Sequence, residues 1–301
     1  MTPARTILAR QRRRLLTGAL GLSALAASSP AAWAQAPTKP TIKIGFVEGW
    51  ADSAATTHVA AAIIRGKLGH PVELVPLAAG IMWQGVARGD LDATLSAWLP
   101  FTHEAYLASF KDKVQILGAN YPGAKIGLIV PDYVKATSLA DINSFRADFD
   151  NRIVGIDAGA GVMKKTEEAI KAYGLKMRLL PSSGPAMTAE LDRAYRANKS
   201  IAVTGWIPHW MFAKYKLRFL ADPKNIYGAE EHVDSVIHPA LNSKAPAVVA
   251  FLKKLSWKPE EIGGVMLAIE GGAKPDAAAE KWIADNPARV AAWLGQVPSA
   301  T

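Results

Sequence analysis

The sequence predicts an α/β fold in two lobes. Apolar runs of strand length alternate with segments of helical spacing from residue 41 onward, the signature of parallel βαβ units. That alternation runs twice, over about 100 residues each time, which fits two lobes better than one wide sheet. Half of the 301 residues are apolar, enough to give each lobe its own core.

The chain opens with five arginines (Arg5, Arg10, Arg12, Arg13 and Arg14) and no acid among its first 34 residues. The run LLTGALGLSALAA (15–27) and the small-x-small site Ala32-Trp33-Ala34 follow, so residues 1–34 are expected to be an export signal. QRRRLLT (11–17) has the form of a twin-arginine signal. The apolar run is shorter than the roughly 20 residues that a membrane span needs. The mature protein is therefore expected in the periplasm. QAPTKP (35–40) reads as a linker, TIKIGFV (41–47) as a strand, HVAAAIIRGKL (58–68) as a helix and VELVPL (72–77) as the next strand. A helix at WQGVARG (83–89) precedes a strand at LDATLSAW (91–98). Strands at 124–131 and 151–157 continue the pattern, followed by a helix (162–175), a strand near 177–180, a helix (186–199) and a strand, SIAVTGW (200–206). From about residue 244 the tail is helical.

Composition removes several functions. The formal charge is 35 − 26 = +9, but the export segment carries five of the arginines, leaving 30 − 26 = +4 scattered over the rest. No basic stripe follows a phosphate backbone, so nucleic acid is not an expected partner. There are no cysteines, which excludes disulfides, thiolate metal sites and cysteine nucleophiles. HEAYL (103–107) has Leu107 where a zinc protease needs its second histidine, and no G-x-S-x-G elbow is present. No cofactor, metal or catalytic residue is predicted.

What remains is an aromatic pattern. Trp50, Trp98 and Trp206 each stand at the carboxyl end of a predicted strand, where open α/β sheets bind ligands. Indole faces attract cations that lack hydrogen-bond donors, so three of them suit a quaternary ammonium group. GIDAGAG (155–161) supplies the complement, a glycine-rich turn opening onto a helix at Val162 whose free N–H groups favour an anion. It is neither a P-loop nor a dinucleotide fingerprint, because Lys164 replaces the second glycine and Gly155 and Gly159 are too far apart.

The stretches GDLDATLSAWLPFTHEAY (89–106), NYPGAKIGLIVP (120–131), GIDAGAGVMKKTEEAI (155–170) and TGWIPHWMFAKYKLRFLADPK (204–224) resemble the glycine betaine-binding proteins of ABC importers, over about residues 41–295. The resemblance implies a type II-like periplasmic binding protein, with lobe 1 formed by 38–127 plus 232–301 and lobe 2 by 128–231. It implies an ammonium cage of Trp50, Trp98 and Trp206. The carboxylate would be held by the amides of Gly161 and Val162 and by His103, five residues after a cage tryptophan. It also implies a monomer that closes by a hinge and docks on the importer's permease subunits. A choline-binding branch has a tryptophan and an acid two residues on, as Trp50 and Asp52 would be here, but carries polar side chains in the glycine-rich turn. Carnitine and proline betaine remain alternative ligands. An enzyme acting on a choline-like compound would need a base beside the cage, and Asp52 alone is near in sequence. His209 is expected to orient its loop, Trp210 to support Trp206, and Trp83, Trp257, Trp282 and Trp293 to be packing residues.

Overall fold

In the computed structural model, which describes residues 39–295, the chain opens on β1 (Ile42–Phe46) and passes at once into α1 (Ala51–Leu68). The expected export segment at 1–34 lies outside the described residues. Helix α1 begins seven residues before the predicted 58–68. Its first turns, including Asp52, Ser53, Thr56 and Thr57, are buried, and a helix enclosed on all sides shows no amphipathic stripe in its sequence. It ends at Gly69, whose φ of +70° closes the last turn in the left-handed conformation. Then come β2 (Val72–Pro76), α2 (Ala79–Arg88), β3 (Ala93–Leu99), α3 (Glu104–Phe110) and the 17-residue β4 (Gln115–Pro131). After a 3-10 segment at Ile142–Phe149 follow β5 (Arg152–Val154), α4 (Gly161–Tyr173), β6 (Arg178–Leu180) and α5 (Gly184–Arg196). They lead to β7 (Val203–Ile207), α6 (Met211–Lys214), β8 (Leu217–Phe219) and β9 (Glu231–Ile237). The C-terminal helices are α7 (Leu241–Lys244), α8 (Pro246–Lys254), α9 (Pro259–Glu270), α10 (Pro275–Asp285) and α11 (Pro287–Leu294).

The strands join in the order β2-β1-β3-β9-β4-β7-β5-β6, with β8 also on β4. This departs from two separate all-parallel sheets. Parallel pairing holds for β1 with β2 and β3, and for β5 with β6 and β7. Strand β9 lies antiparallel between β3 and β4, and β4 pairs antiparallel with β7 and β8. Strand β4 makes the junction. It pairs with β9 as far as Ala124 and with β7 from Lys125, after three register irregularities that bend it. The sequence conceals this because NYPG breaks the apolar pattern, while Glu231, Asp234 and Ser235 make a largely buried β9 read as polar. Helices α8, α9 and α10 return to pack on α1, beside the sheet half built from β1–β3 and β9.

Candidate ligand-binding site

All three predicted tryptophans meet in one place. Trp50 is the N-cap of α1, Trp98 lies one residue before the end of β3, and Trp206 lies one residue before the end of β7. Trp98 and Trp206 are followed two residues later by Pro100 and Pro208, where the strands stop. Together with Thr102, Ile126, Ile156, Ala160, Gly161 and Val162 the indoles line one small, apolar pocket. The rings of Trp50 and Trp206 stand 6.4 Å apart at 55°, facing one space without stacking on each other.

The indole edges are braced by acids. Trp206 donates its Nε1–H to Asp52 Oδ1 at 2.9 Å, and Trp50 donates to Asp157 Oδ2 at 3.3 Å. Each bond joins opposite halves of the sheet: Asp52 and Trp50 follow β1, whereas Trp206 lies in β7 and Asp157 follows β5. Asp52 is buried, and burial raises its pKa to about 6. The Trp206 N–H, the backbone N–H groups of Asp52 and Ser53 and, most weakly, the Trp98 indole pull the other way. At neutral pH the cage is thus backed by a negative charge. The Trp98 Nε1–H makes no well-formed hydrogen bond among the described residues.

Opposite the indoles is the start of α4. Ala160 caps α4, and the N–H groups of Gly161 and Val162 have no acceptor among the described residues. Gly161 must be glycine here, since a Cβ would collide with the Thr102 carbonyl oxygen from the other sheet half. Thr102 is itself fixed by Glu231, whose carboxylate accepts the N–H groups of Phe101 and Thr102 and the Thr102 hydroxyl. His103 does not line the pocket. It is fully buried beside it, its ring 5.9 Å from that of Trp50. Its Nδ1 accepts from the Trp98 backbone N–H at 3.1 Å and from Trp83 Nε1 at 3.2 Å, while Nε2 is buried without a partner among the described residues. Burial lowers its pKa to about 3, so the ring is neutral at physiological pH.

His209 lies edge-on to Trp206 at 4.7 Å and accepts the Met211 N–H, so it orients the loop. Trp210 packs behind it, with ring centroids 5.1 Å apart. A larger groove of about 370 Å³ is lined by Glu48, Asp192, Trp210, Lys214 and Tyr215 among others. Its aromatic faces are already covered by the Lys214 ammonium, 5.1 and 5.4 Å from the Trp210 and Tyr215 rings. Sequence reasoning missed Trp83, Asp157, Glu231 and Tyr106, whose hydroxyl donates to the Gly159 carbonyl across the halves at 2.7 Å. Asp157 was within reach of inference, in the glycine-rich turn. The others act through partners 20 to 130 residues away, and nothing local marks them.

The chain resembles known proteins in sequence and in fold. Residues 40–285 match the substrate-binding domain of ABC-type glycine betaine transport systems. The glycine betaine/carnitine transport binding protein GbuC of Listeria monocytogenes serotype 1/2a (strain 10403S) is 44% identical over 148 residues, covering 48% of this chain and 49% of the relative. The aligned region thus spans about half of that relative. Lactococcal OpuAC, in a closed-liganded crystal structure with glycine betaine, superposes with a TM-score of 0.81 at 34% identity, covering 85% of this chain and all of that one. An ABC-transporter choline-binding protein in complex with choline gives 0.79 at 26% identity, covering 86% of this chain and 93% of that one. Among the described residues no helix is long and apolar enough to cross a membrane. With a match across most of its length, the chain belongs to the family of substrate-binding domains of ABC-type glycine betaine transport systems.

Proposed function

We propose that this chain is the periplasmic receptor of an importer for a betaine, a molecule with a quaternary ammonium group at one end and a carboxylate at the other. The observation that carries this reading is the opposition of charges across one small pocket. Three indoles backed by the Asp52 carboxylate face two free N–H groups at the start of a helix. The ammonium lies in the cage of Trp50, Trp98 and Trp206. The carboxylate takes the N–H groups of Gly161 and Val162 and the unpartnered Nε2–H of His103. The ligand leaves chemically unchanged, and the receptor acts as a monomer that docks on the permease subunits.

Two lobes, 38–127 plus 232–301 and 128–231, move about the bend where β4 changes partner between Ala124 and Lys125. Closure is supported by the bonds from Trp206 to Asp52, Trp50 to Asp157 and Tyr106 to Gly159, and by the close approach of Gly184 to the Gly49 carbonyl. A second reading, choline, is favoured by Asp52, a buried acceptor that would balance a cation carrying no carboxylate of its own.

Titration calorimetry separates these readings. Glycine betaine is expected to bind more tightly than dimethylglycine and far more tightly than glycine, because each N–H restored to the cation keeps water at the cage. Equal affinity for glycine and glycine betaine would sink the cage. His103→Ala is expected to weaken glycine betaine by about ten- to a hundredfold, the weight of a hydrogen bond to a charged group, and choline much less. Equal losses for both ligands would leave Gly161 and Val162 as the whole anion site and make choline the first choice.

A further inference from the structure

We infer that Trp83 is a positioning residue for the anion end of the site: its indole N–H fixes the tautomer of His103 and so commits the ring to donate from Nε2. The inference deepens the betaine reading and rests on it for its ligand arm. A neutral imidazole has one donor and one acceptor nitrogen, and which is which is set by the partners it finds. On Nδ1 of His103 converge two groups that can only donate, the Trp83 indole at 3.2 Å and the Trp98 main-chain N–H at 3.1 Å. A proton on Nδ1 would point at both, so the proton belongs on Nε2. Nε2 is buried and has no partner among the described residues, although the great majority of buried polar atoms have one. It is a donor held ready in a ring that lies against the cage residue Trp50.

Trp83 is built for this task as much as for packing. It is fully buried on α2, the His103 ring is perpendicular to it at 6.0 Å, and His103 is the sole hydrogen-bond partner of its N–H among the described residues. On its other side it stacks on Tyr106, whose hydroxyl holds the Gly159 carbonyl in the glycine-rich turn. Burial also keeps the ring neutral, which preserves the acceptor that the two donors require. The anion end then offers N–H donors alone, from Gly161, Val162 and His103. A group that only accepts, such as a carboxylate, satisfies them better than a hydroxyl, which brings a donor of its own.

The test uses the full chain with 15N-labelled histidine. Long-range proton–nitrogen correlation spectra of the ligand-free wild type are expected to show His103 protonated on Nε2 and bare on Nδ1 from pH 5 to 8. Trp83→Phe, which keeps an aromatic ring and removes the N–H, is expected to move the Nδ1 resonance. It should weaken glycine betaine about three- to tenfold, the worth of one lost hydrogen bond, and leave choline within about twofold. A wild-type ring protonated on Nδ1 overturns the inference even if the variant fails to fold. So does a His103 spectrum unchanged by the substitution, or an equal loss of both ligands, which would make Trp83 a packing residue. If the wild type bound no quaternary amine, the betaine reading would fall while the tautomer still decided this point.

Discussion

The protein has two clusters of three tryptophans, and they use the same side chain in opposite ways. Trp50, Trp98 and Trp206 meet at the pocket, while Trp257, Trp282 and Trp293 meet among the C-terminal helices. Burial does not tell them apart: the first set is 3–5% exposed and the second 1–8%. Separation and bracing do. The C-terminal rings touch one another, with centroids 4.8, 5.1 and 5.3 Å apart, two pairs edge-on and one stacked, so each ring fills the space its neighbours leave. In the pocket, Trp50 and Trp206 are held 6.4 Å apart by carboxylates on opposite sheet halves, and a cavity remains. One cluster closes on itself; the other is kept apart by residues from outside it.

The largest effects should divide the clusters cleanly. Trp293→Ala removes a fully buried ring that two others pack on, and is expected to cost about 3–5 kcal/mol of folding stability. Thermal unfolding should record that loss, while ligand affinity of the folded protein stays within about twofold. Trp206→Ala should instead weaken a quaternary ammonium ligand about thirtyfold, or about 2 kcal/mol, as expected for a desolvated cation–π contact. Trp206→Phe, which keeps an aromatic face, should lose less. Should Trp293→Ala and Trp206→Ala prove alike in both measurements, the distinction between the clusters is wrong.

Next in size is the bracing acid, which the C-terminal cluster lacks. The folded Asp52 carboxyl binds its proton more tightly than the unfolded one, with a pKa of about 6 against 3.8. Its contribution therefore favours the folded state fully below about pH 4 and is lost as pH rises through 6, about 3 kcal/mol in all. Asp52→Asn keeps an oxygen acceptor for the Trp206 N–H and cannot titrate. Stability curves of the two ligand-free proteins should diverge between pH 4 and 6, with the variant falling less, whereas Trp293→Phe should leave the slope as it is. Parallel curves for wild type and Asp52→Asn would mean that Asp52 does not titrate in that window.

How much of this could be read from sequence follows the same division. The strand-end placement of Trp50, Trp98 and Trp206 was visible because strands ending in tryptophan with proline or acid close behind are local patterns. The turn into α4 was visible for the same reason, and so were β1, β2 and the helices with one apolar face. Strand β9 was not, because it buries Glu231, Asp234 and Ser235: Glu231 and Ser235 find partners far away in the chain, and Asp234 pairs with His232 two residues before it. The early start of α1 was hidden by its burial on every side. Trp83 read as packing because an indole in a buried helix gives no sign of where its N–H points. Local patterns carried the positions of the site; the polar contacts that tune it are long-range and did not show.

The smallest expected effect probes the charged neighbour that each cluster does have. Arg289 lies over the Trp293 ring at 5.3 Å while pairing with Glu261 at 3.1 Å, and all of these belong to the C-terminal helices. Arg289→Ala should therefore lower the melting temperature and leave ligand affinity unchanged. Asp157 is half-buried and receives the Trp50 N–H at 3.3 Å, a long bond from the other sheet half. Such a bond contributes little to the fold, yet it forms only when the two halves are together, so its loss should appear in binding. Asp157→Ala is expected to weaken a quaternary ammonium ligand about two- to fivefold, the lower range for a single hydrogen bond, with a melting temperature close to wild type without ligand. The ligand-induced rise in melting temperature should shrink in proportion, because that rise reports binding to the folded state alone. An Asp157→Ala protein that melts early and binds normally would place Asp157 with Arg289, as a brace for packing, and would leave Asp52 as the one acid that holds the cage open.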